Sequence, residues 1–320
     1  MLTTTRRMFL GAAAALPATA WAQAFPDRPM RLVLPYAPGG VVDGVGRIFA
    51  QGLGEALRQS VVTDNRPGAG GMIGTDVVAK AAPDGYTQLL MDPAVVINPS
   101  LQARVPYDLF RELRPVSILT SSPLVLITAP NLPVTSVAEL IAYGRANPGR
   151  LSFASAGVGT TPHLAGEMFS LRSELGATHV PYRGIAAAYA DMMAGQVHFS
   201  FSSIAGARPL IEDGRLKALA TTGSVASPAL PNLPTMQGAG VANFVVDLWL
   251  ALFVPAATPD PVTARIHDAL MEVISKPETV AALGRLGALP RGTTQAEAVA
   301  IVRAEYESWR GVITQAGITL

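Results

Sequence analysis

Hydrophobic residues along the chain alternate between short continuous runs and longer stretches with helical spacing. The run "MRLVLP" at 30–35 is typical of a buried strand. After the glycine turn "YAPGGVVD", Val45, Phe49 and Leu53 recur four residues apart, which places them on one face of a helix. The short run "VVT" at 61–63 and the glycine-rich turn "RPGAGG" repeat this order. Strand, glycine turn and helix together indicate an α/β unit.

The same alternation continues through the middle of the chain. The runs "LSFAS", "THVPY" and "VHFSFSS" predict strands, and "SVAELIAYGRANPG" predicts a helix with a capping box formed by Ser136 and Glu139. After "DLWLALFVPAATP" the remaining residues predict mainly helices. Strands that alternate with helices predict mostly parallel sheets with helices on both faces. Because one core stops growing at roughly 250 to 300 residues, two α/β lobes are favoured.

Composition excludes several classes of function. Hydrophobic residues make up 49% of the 320 residues, charged residues make up 15%, and the formal net charge is +1, so no basic surface for nucleic acid is expected. Cysteine is absent, which excludes disulfides, thiolate metal sites and cysteine catalysis. The four histidines lack metal-site spacing, and neither a P-loop nor a complete G-x-G-x-x-G is present. We therefore expect no metal and no cofactor.

The first 22 residues predict an export signal peptide. Arg6 and Arg7 precede an apolar segment, and Ala20-Trp21-Ala22 forms an A-x-A cleavage site. The pattern around the two arginines is similar to a twin-arginine signal, with a general secretory signal as the alternative. The sequence thus predicts a periplasmic protein cleaved after Ala22, with no stable membrane insertion.

Two glycine turns are candidate ligand sites, because ligands in α/β folds bind where strands end and helices begin. In "SAGVGTTPHLAGEMF", Gly157 and Gly159 precede Thr160 or Thr161 as N-cap and a proline at the first helical position. Free N–H groups, threonine hydroxyls and the positive end of the helix dipole suit a carboxylate. The turn "YAPGGVVD" offers a second such site through Ala37, Gly39 and Gly40.

Other interpretations of these residues stay open. Ser155 in "FASAG" is close to a nucleophile motif, and with His163 as base it would indicate an exported α/β hydrolase. Asp43 and Arg47 are spaced for an ion pair along a helix, and a direct ligand role for Asp43 ranks second.

Several segments together resemble the Bug family of periplasmic solute-binding proteins, which serve tripartite tricarboxylate transporters. They are "PDRPMRLVLPYAPGGVVDGVGR", "VVTDNRPGAGGMIGTDVVAKAAPDGYTQLL", "SAGVGTTPHLAGEMF", "VPYRGIAAAYADMMAGQVHFSFSS" and "LWLALFVPAATP". The resemblance implies two Rossmann-like α/β lobes of a type II periplasmic solute-binding protein, joined by two crossing strands near 124–128 and 249–254. The first lobe would comprise 23–126 plus 248–320, and the second lobe 127–247.

The resemblance also implies a carboxylate held between the lobes. We expect the ligand-binding residues to be Tyr36, Ala37, Gly39, Gly40, Asp43, Gly157, Gly159, Thr160, Thr161, His163, Tyr182, Arg183, Gly184, Ser202 and Asp247. Asp247 departs from the family pattern, and its carboxylate could hold a ligand ammonium group or lie exposed at a strand start.

The resulting hypothesis is a non-enzymatic receptor for a small organic carboxylate: a dicarboxylate, a tricarboxylate, an acidic amino acid or an aromatic acid. Its partners would be the permease subunits of an inner-membrane transporter. A carboxylate sensor for a membrane kinase is the alternative partner assignment.

Overall fold

The computed structural model describes residues 25–182 and 184–319. The predicted signal peptide and Arg183 lie outside these residues. The strands are β1 Met30–Leu34, β2 Val61–Asn65, β3 Thr87–Met91, β4 Leu113–Ser121, β5 Leu124–Thr128, β6 Ser152–Ser155, β7 Thr178–Pro181, β8 Phe199–Ser203, β9 Lys217–Thr221, β10 Leu250–Pro255 and β11 Leu289–Pro290.

The helices occupy the stretches between the strands and the last part of the chain. They are α1 Val41–Leu57, α2 Met72–Ala79, α3 Ala94–Leu101, α4 Leu109–Glu112, α5 Val137–Ala146, α6 Thr161–Ser173, α7 Ala188–Met193, α8 Ile204–Glu212, α9 Asp260–Ser275, α10 Pro277–Arg285 and α11 Gln295–Ala316. Within the described ranges, no helix combines the length and the apolar character that crossing a membrane requires.

The strands form two sheets, as the two-lobe α/β prediction requires. One sheet has the order β11-β4-β10-β3-β1-β2, and the other has the order β7-β6-β8-β5-β9. The prediction of mostly parallel sheets is wrong, because β10 runs antiparallel to both of its neighbours and β5 does the same in the second sheet. Each of these two strands follows a crossing between the sheets. A chain that arrives from the other sheet enters at the edge where the parallel strands end, so it must run in the opposite direction.

The chain changes sheets at two adjacent segments. The first lies between β4 and β5, at Ser122 and Pro123, and the second precedes β10, where Asp247 forms a bridge with Pro123 and Leu248 N–H donates to the Ser122 carbonyl. The segments expected to cross, 124–128 and 249–254, lie instead almost entirely within the sheets as β5 and β10. The apolar runs used for the prediction mark the strands themselves, whereas the crossings are the short segments that precede them and include Ser122 and Asp247. The division of the chain at 126/127 and 247/248 stays a prediction.

Hydrophobic packing continues between the two sheets. The largest buried cluster includes Val33 and Met91 from the first sheet and Phe153 and Phe199 from the second. Helix α11 contacts α3 and β4 on one side and α6 on the other. This helix therefore braces α6, whose start is one of the candidate ligand sites.

Candidate functional site

The turn between β1 and α1 is held in place by a buried carboxylate. Asp43 accepts hydrogen bonds from the Gly39 N–H, the Asn65 amide and two nitrogens of Arg47, each at 3.0 Å. The Arg47 and Gly39 hydrogen bonds hold the pKa of Asp43 at about 2. The predicted Asp43–Arg47 ion pair is confirmed. Because both oxygens of Asp43 bind within the turn, this side chain shapes the site and offers no free oxygen to a ligand.

The same turn leaves backbone donors at the start of α1. Ala37, Gly39 and Gly40 are exposed, and the φ of +93° at Gly39 favours glycine. Gly39 has donated its N–H to Asp43, but the N–H groups of Val41 and Val42 have no acceptor among the described residues. These are orphan donors at the positive end of a 17-residue helix, and they can bind an anion.

Tyr36 links this turn to the end of β3. Its hydroxyl donates to Asp92 Oδ1 at 2.8 Å, and its carbonyl accepts from Asn65 at 3.0 Å. Burial and the neighbouring Asp92 raise the pKa of Tyr36, so the hydroxyl stays protonated and acts as a donor. The sequence predicted Tyr36 but missed Asp92, whose one indication is its position directly after a buried strand.

The turn between β6 and α6 is held by hydrogen bonds within itself. Gly157 and Gly159 have φ angles of +127° and +79°, which favour glycine. The Gly157 N–H donates to Ser155 Oγ at 3.0 Å, and Thr160 Oγ1 donates to the Gly157 carbonyl at 2.7 Å. The Gly159 N–H donates to His163 Nδ1 at 3.0 Å. The donors of Gly157, Gly159 and the Thr160 side chain are therefore used inside the turn.

The N–H and hydroxyl donors of Thr161 are not used within the turn. It is the first residue of α6, Thr160 occupies the N-cap position, and Pro162 has no N–H to offer. Within 25–182 and 184–319, neither the N–H groups of Thr161 and His163 nor the Thr161 hydroxyl has a hydrogen-bond partner. The predicted carboxylate site at this helix end thus narrows to Thr161 and the first backbone donors of α6.

His163 does not pair with Ser155, so the hydrolase arrangement is wrong. The His163 ring is 3% exposed, stacks on His179 with centroids 3.8 Å apart and directs Nδ1 to Gly159. Ser155 Oγ lies 2.6 Å from His179 Nε2 instead. The Ser155 side chain is also hydrogen-bonded within the turn, because Oγ lies 3.1 Å from the Gly157 carbonyl, so its hydroxyl is not available as a nucleophile paired with His163. His163 is a residue that positions the turn rather than one with a nitrogen directed at a ligand.

His163, Glu167 and His179 offer ligand atoms within 4.8 Å of one another. A histidine that binds a metal presents a lone pair to the ion and usually donates its other N–H to an acceptor. Here Nδ1 of His163 accepts from the Gly159 N–H. Neutral His163 therefore carries its proton on Nε2, the nitrogen that faces Glu167 at 3.5 Å. This arrangement favours a hydrogen-bonded cluster over a metal centre.

The histidine cluster predicts a pH dependence of stability. Burial, and secondly the adjacent His163, lower the pKa of His179 to about 4 from its ordinary 6.5. The unfolded chain therefore takes up this proton first, and the free energy of unfolding should fall as the pH decreases from 6.5 towards 4. Thermal unfolding across this range should show a smaller decrease for His179→Gln. An equal slope in both proteins would contradict the assignment.

The "VPYRG" turn lies beside Gly157. The Tyr182 N–H donates to the Ser155 carbonyl at 3.1 Å, and its hydroxyl donates to Asp191 at 2.7 Å. Gly184, with φ of +94°, precedes a short 3₁₀ turn. Tyr182 is therefore next to the α6 site, no contact places Gly184 there among the described residues, and Arg183 lies outside them.

Ser202 and Asp247 have hydrogen-bond partners that belong to neither turn. Ser202 is completely buried, with Oγ 2.6 Å from the Tyr189 hydroxyl. Asp247 accepts from Ser121 Oγ at 2.5 Å and from the Ser122 N–H at 2.6 Å, and Arg291 lies 3.4 Å away. Asp247 is thus neither exposed nor available for a ligand ammonium group; it ties the two crossing segments together.

A cavity of about 200 Å³ lies between the sheets at the crossings. Its walls include Val41 and Val42 at the start of α1, and Ile204 and Ala205 at the start of α8. Asp92, Thr120, Ser122 and Ser203 are its polar lining residues. The beginnings of helices α1 and α8, one beside each sheet, therefore line the same cavity.

Comparison with known proteins gives consistent matches. The family model described as "Tripartite tricarboxylate transporter family receptor" matches residues 45–318. BugT of Bordetella pertussis is 35% identical over 311 residues, covering 97% of this chain and 95% of BugT. An R. palustris protein solved with adipate is 33% identical, with a TM-score of 0.75, and covers 92% of this chain and 100% of its own. MatC from Rhodopseudomonas palustris with bound malate is 29% identical, with a TM-score of 0.71, over 90% of this chain and 100% of its own.

Proposed function

Because the chain belongs to the tripartite tricarboxylate transporter receptor family, we propose that it is a periplasmic receptor that captures one small organic carboxylate between its two lobes. The related structures with adipate and malate support a carboxylate ligand. The observation that carries the proposal is the pair of helix starts, α1 and α6, whose first N–H groups have no acceptor among the described residues. Such donors at the positive ends of two helices suit an anion.

In this proposal the ligand lies between the two helix starts. A carboxylate accepts hydrogen bonds from the Thr161 hydroxyl and the α6 backbone on one side, and from the backbone of Val41 and Val42 on the other. Closure of the lobes about the two crossings removes the ligand from water, which is tolerable because donors satisfy its charge. The protein binds its ligand without converting it, because Ser155, the nucleophile of the hydrolase alternative, is buried and hydrogen-bonded to His179.

The partners of such a receptor are the permease subunits of a tripartite transporter in the inner membrane, to which the closed form delivers its ligand. Residues 1–22 carry the export signal of twin-arginine type, and cleavage after Ala22 releases the protein into the periplasm.

A thermal-shift screen of the secreted protein tests this function. Dicarboxylates, tricarboxylates, acidic amino acids and aromatic acids form the panel. A ligand at a hundred times its Kd adds about 2.7 kcal/mol to the free energy of unfolding, so at least one of these acids should raise Tm by several degrees. Uncharged amides of the same acids serve as controls. If no carboxylate raises Tm above its amide, the proposal fails.

A further inference from the structure

Asp92 is a carboxylate in the cavity between the lobes, and it has no cationic partner among residues 25–182 and 184–319. Its Oδ1 accepts from the Tyr36 hydroxyl at 2.8 Å and from the Ala94 N–H at 3.0 Å. Within the described residues, no hydrogen bond from another residue reaches Oδ2, and no basic side chain pairs with this carboxylate. Asp43 and Asp247, by contrast, each have an arginine beside them.

Asp92 is half-buried, and even partial burial of a carboxylate without a cationic partner is costly unless donors satisfy its oxygens. Burial raises the pKa of Asp92, and the Tyr36 and Ala94 hydrogen bonds act in the opposite direction. The neighbouring serines of the cavity do not donate to Asp92: Ser122 Oγ donates to the Gly287 carbonyl, and Ser203 Oγ accepts the Gly206 N–H as the cap of α8 and has no hydrogen bond to Asp92. Asp92 Oδ2 therefore retains an unused capacity to accept a hydrogen bond from whatever enters the cavity.

Thr120 is a second polar residue of this cavity with unused capacity. It is completely buried, and its hydroxyl has no hydrogen-bond partner in the part of the chain that the structure describes. Hydroxyls in such positions normally find a partner. The cavity of about 200 Å³ has room for roughly six water-sized groups at about 30 Å³ each. A short carbon skeleton with one or two polar substituents fits this space.

The same cavity also borders the anion-binding start of α1. Val41 and Val42, with their free N–H groups, form part of its wall. One space thus combines donors for a carboxylate with the acceptor-only oxygen of Asp92. We propose that this cavity selects carboxylates whose carbon skeleton also carries a hydrogen-bond donor, a hydroxyl or an ammonium group, and that Asp92 accepts from that donor. This inference rests on the proposed function, because it specifies the ligand of the same receptor.

Calorimetric titration with matched ligands tests the proposal. The C4, C5 and C6 dicarboxylates are each compared as the unsubstituted acid, the 2-hydroxy acid and the 2-amino acid. In at least one series the wild-type protein should bind the 2-hydroxy or the 2-amino acid at least tenfold more tightly than the unsubstituted acid. Asp92→Asn should reduce this preference, most strongly for the 2-amino acid, because the charge of the acceptor is lost. Asp213→Asn, which removes an exposed acid outside the cavity, should leave the preference unchanged.

The outcomes separate this inference from the proposed function. If unsubstituted acids bind as tightly as the substituted ones in all three series, the role of Asp92 is overturned while carboxylate binding stands. If Asp92→Asn leaves the preference intact, the role of Asp92 is likewise overturned. Binding of a carboxylate outside the nine compounds, with none of the nine binding, overturns the inference alone. Failure of every carboxylate overturns the proposed function as well. The wild-type comparison does not depend on the folding of any variant.

Thr120→Val separates a ligand contact from a structural role. Valine has the shape of threonine without the hydroxyl, so removal of an unsatisfied buried group should leave Tm unchanged or raise it. A threefold or greater loss of affinity for the preferred ligand at unchanged Tm supports the cavity as the selective site. Unchanged affinity for that ligand would overturn the placement of the ligand beside Thr120.

Discussion

Thr161→Val is expected to weaken carboxylate binding by about tenfold to a hundredfold. A hydrogen bond to a charged group contributes about 1.5–3 kcal/mol, and each 1.4 kcal/mol is about tenfold in Kd. Thr161 is 7% exposed, and valine retains its shape, so the fold should tolerate the change. Calorimetric titration with the carboxylate that gives the largest thermal shift measures the loss.

Thr160→Val is the matched control for this variant. The Thr160 hydroxyl donates to the Gly157 carbonyl within the turn, so its removal should affect the turn more than the ligand, with a smaller change in Kd. If Thr160→Val weakens binding as much as Thr161→Val, or if Thr161→Val binds normally, the assignment of the carboxylate site is incorrect.

Asp247→Ala is expected to lower the free energy of unfolding by about 2–4 kcal/mol. The substitution removes the acceptor for Ser121 Oγ and for the Ser122 N–H, and it leaves Arg291 without its carboxylate. Loss of one partner from buried hydrogen-bonded charges is strongly destabilising. Because the Arg291 side chain is 36% exposed, its ion pair contributes the smaller part. Urea unfolding of both proteins measures the difference.

Asp247→Ala also decides between two roles for this residue. If Asp247 bound a ligand ammonium group, the variant would lose affinity for amino acids while its unfolding curve stayed the same. If Asp247 instead holds the two crossing segments together, the variant should be less stable, and its relative affinities for 2-amino and unsubstituted acids should be unchanged. Asp247→Asn, which keeps one acceptor oxygen, should lie between the wild-type protein and the alanine variant in stability.

The sequence was sufficient to predict many of the elements and the two helix starts. Apolar runs and glycine turns located β1, β6 and the beginnings of α1 and α6, because burial and positive φ restrict which residues can occupy these positions. Strand direction was not predictable from these local patterns. β5 and β10 run antiparallel because of where the chain re-enters each sheet, a property of the path rather than of the residues.

Which donors remain free could not be predicted either. The sequence assigned carboxylate binding to Gly159 and Thr160, yet both bind within their own turn. The Ser136 cap illustrates the same limit: its hydroxyl accepts from the Glu139 N–H as expected, but the Glu139 carboxylate binds Thr135 instead of completing the box. Partner choice depends on rotamers and on neighbours that are distant in the chain.

Asp92 and Asp247 show this limit for charged groups. The sequence indicated Asp247 as an unusual acid near the site, but its carboxylate pairs with Arg291 and accepts a hydrogen bond from a crossing segment. Asp92 was not among the predicted ligand-binding residues, although an acidic residue directly after a buried strand lies at the edge of the sheet where α/β folds bind ligands. Whether an acidic side chain pairs with an arginine depends on how distant parts of the chain pack together, and this is not visible in the sequence.

Amide hydrogen exchange of the secreted protein, with and without a saturating carboxylate, tests the capture of a ligand between the lobes most directly. The account predicts that the ligand slows exchange in two peptides, one covering 40–45 at the start of α1 and one covering 158–165 at the start of α6. Slower exchange at only one of these helix starts, or at neither, with the ligand bound would contradict it.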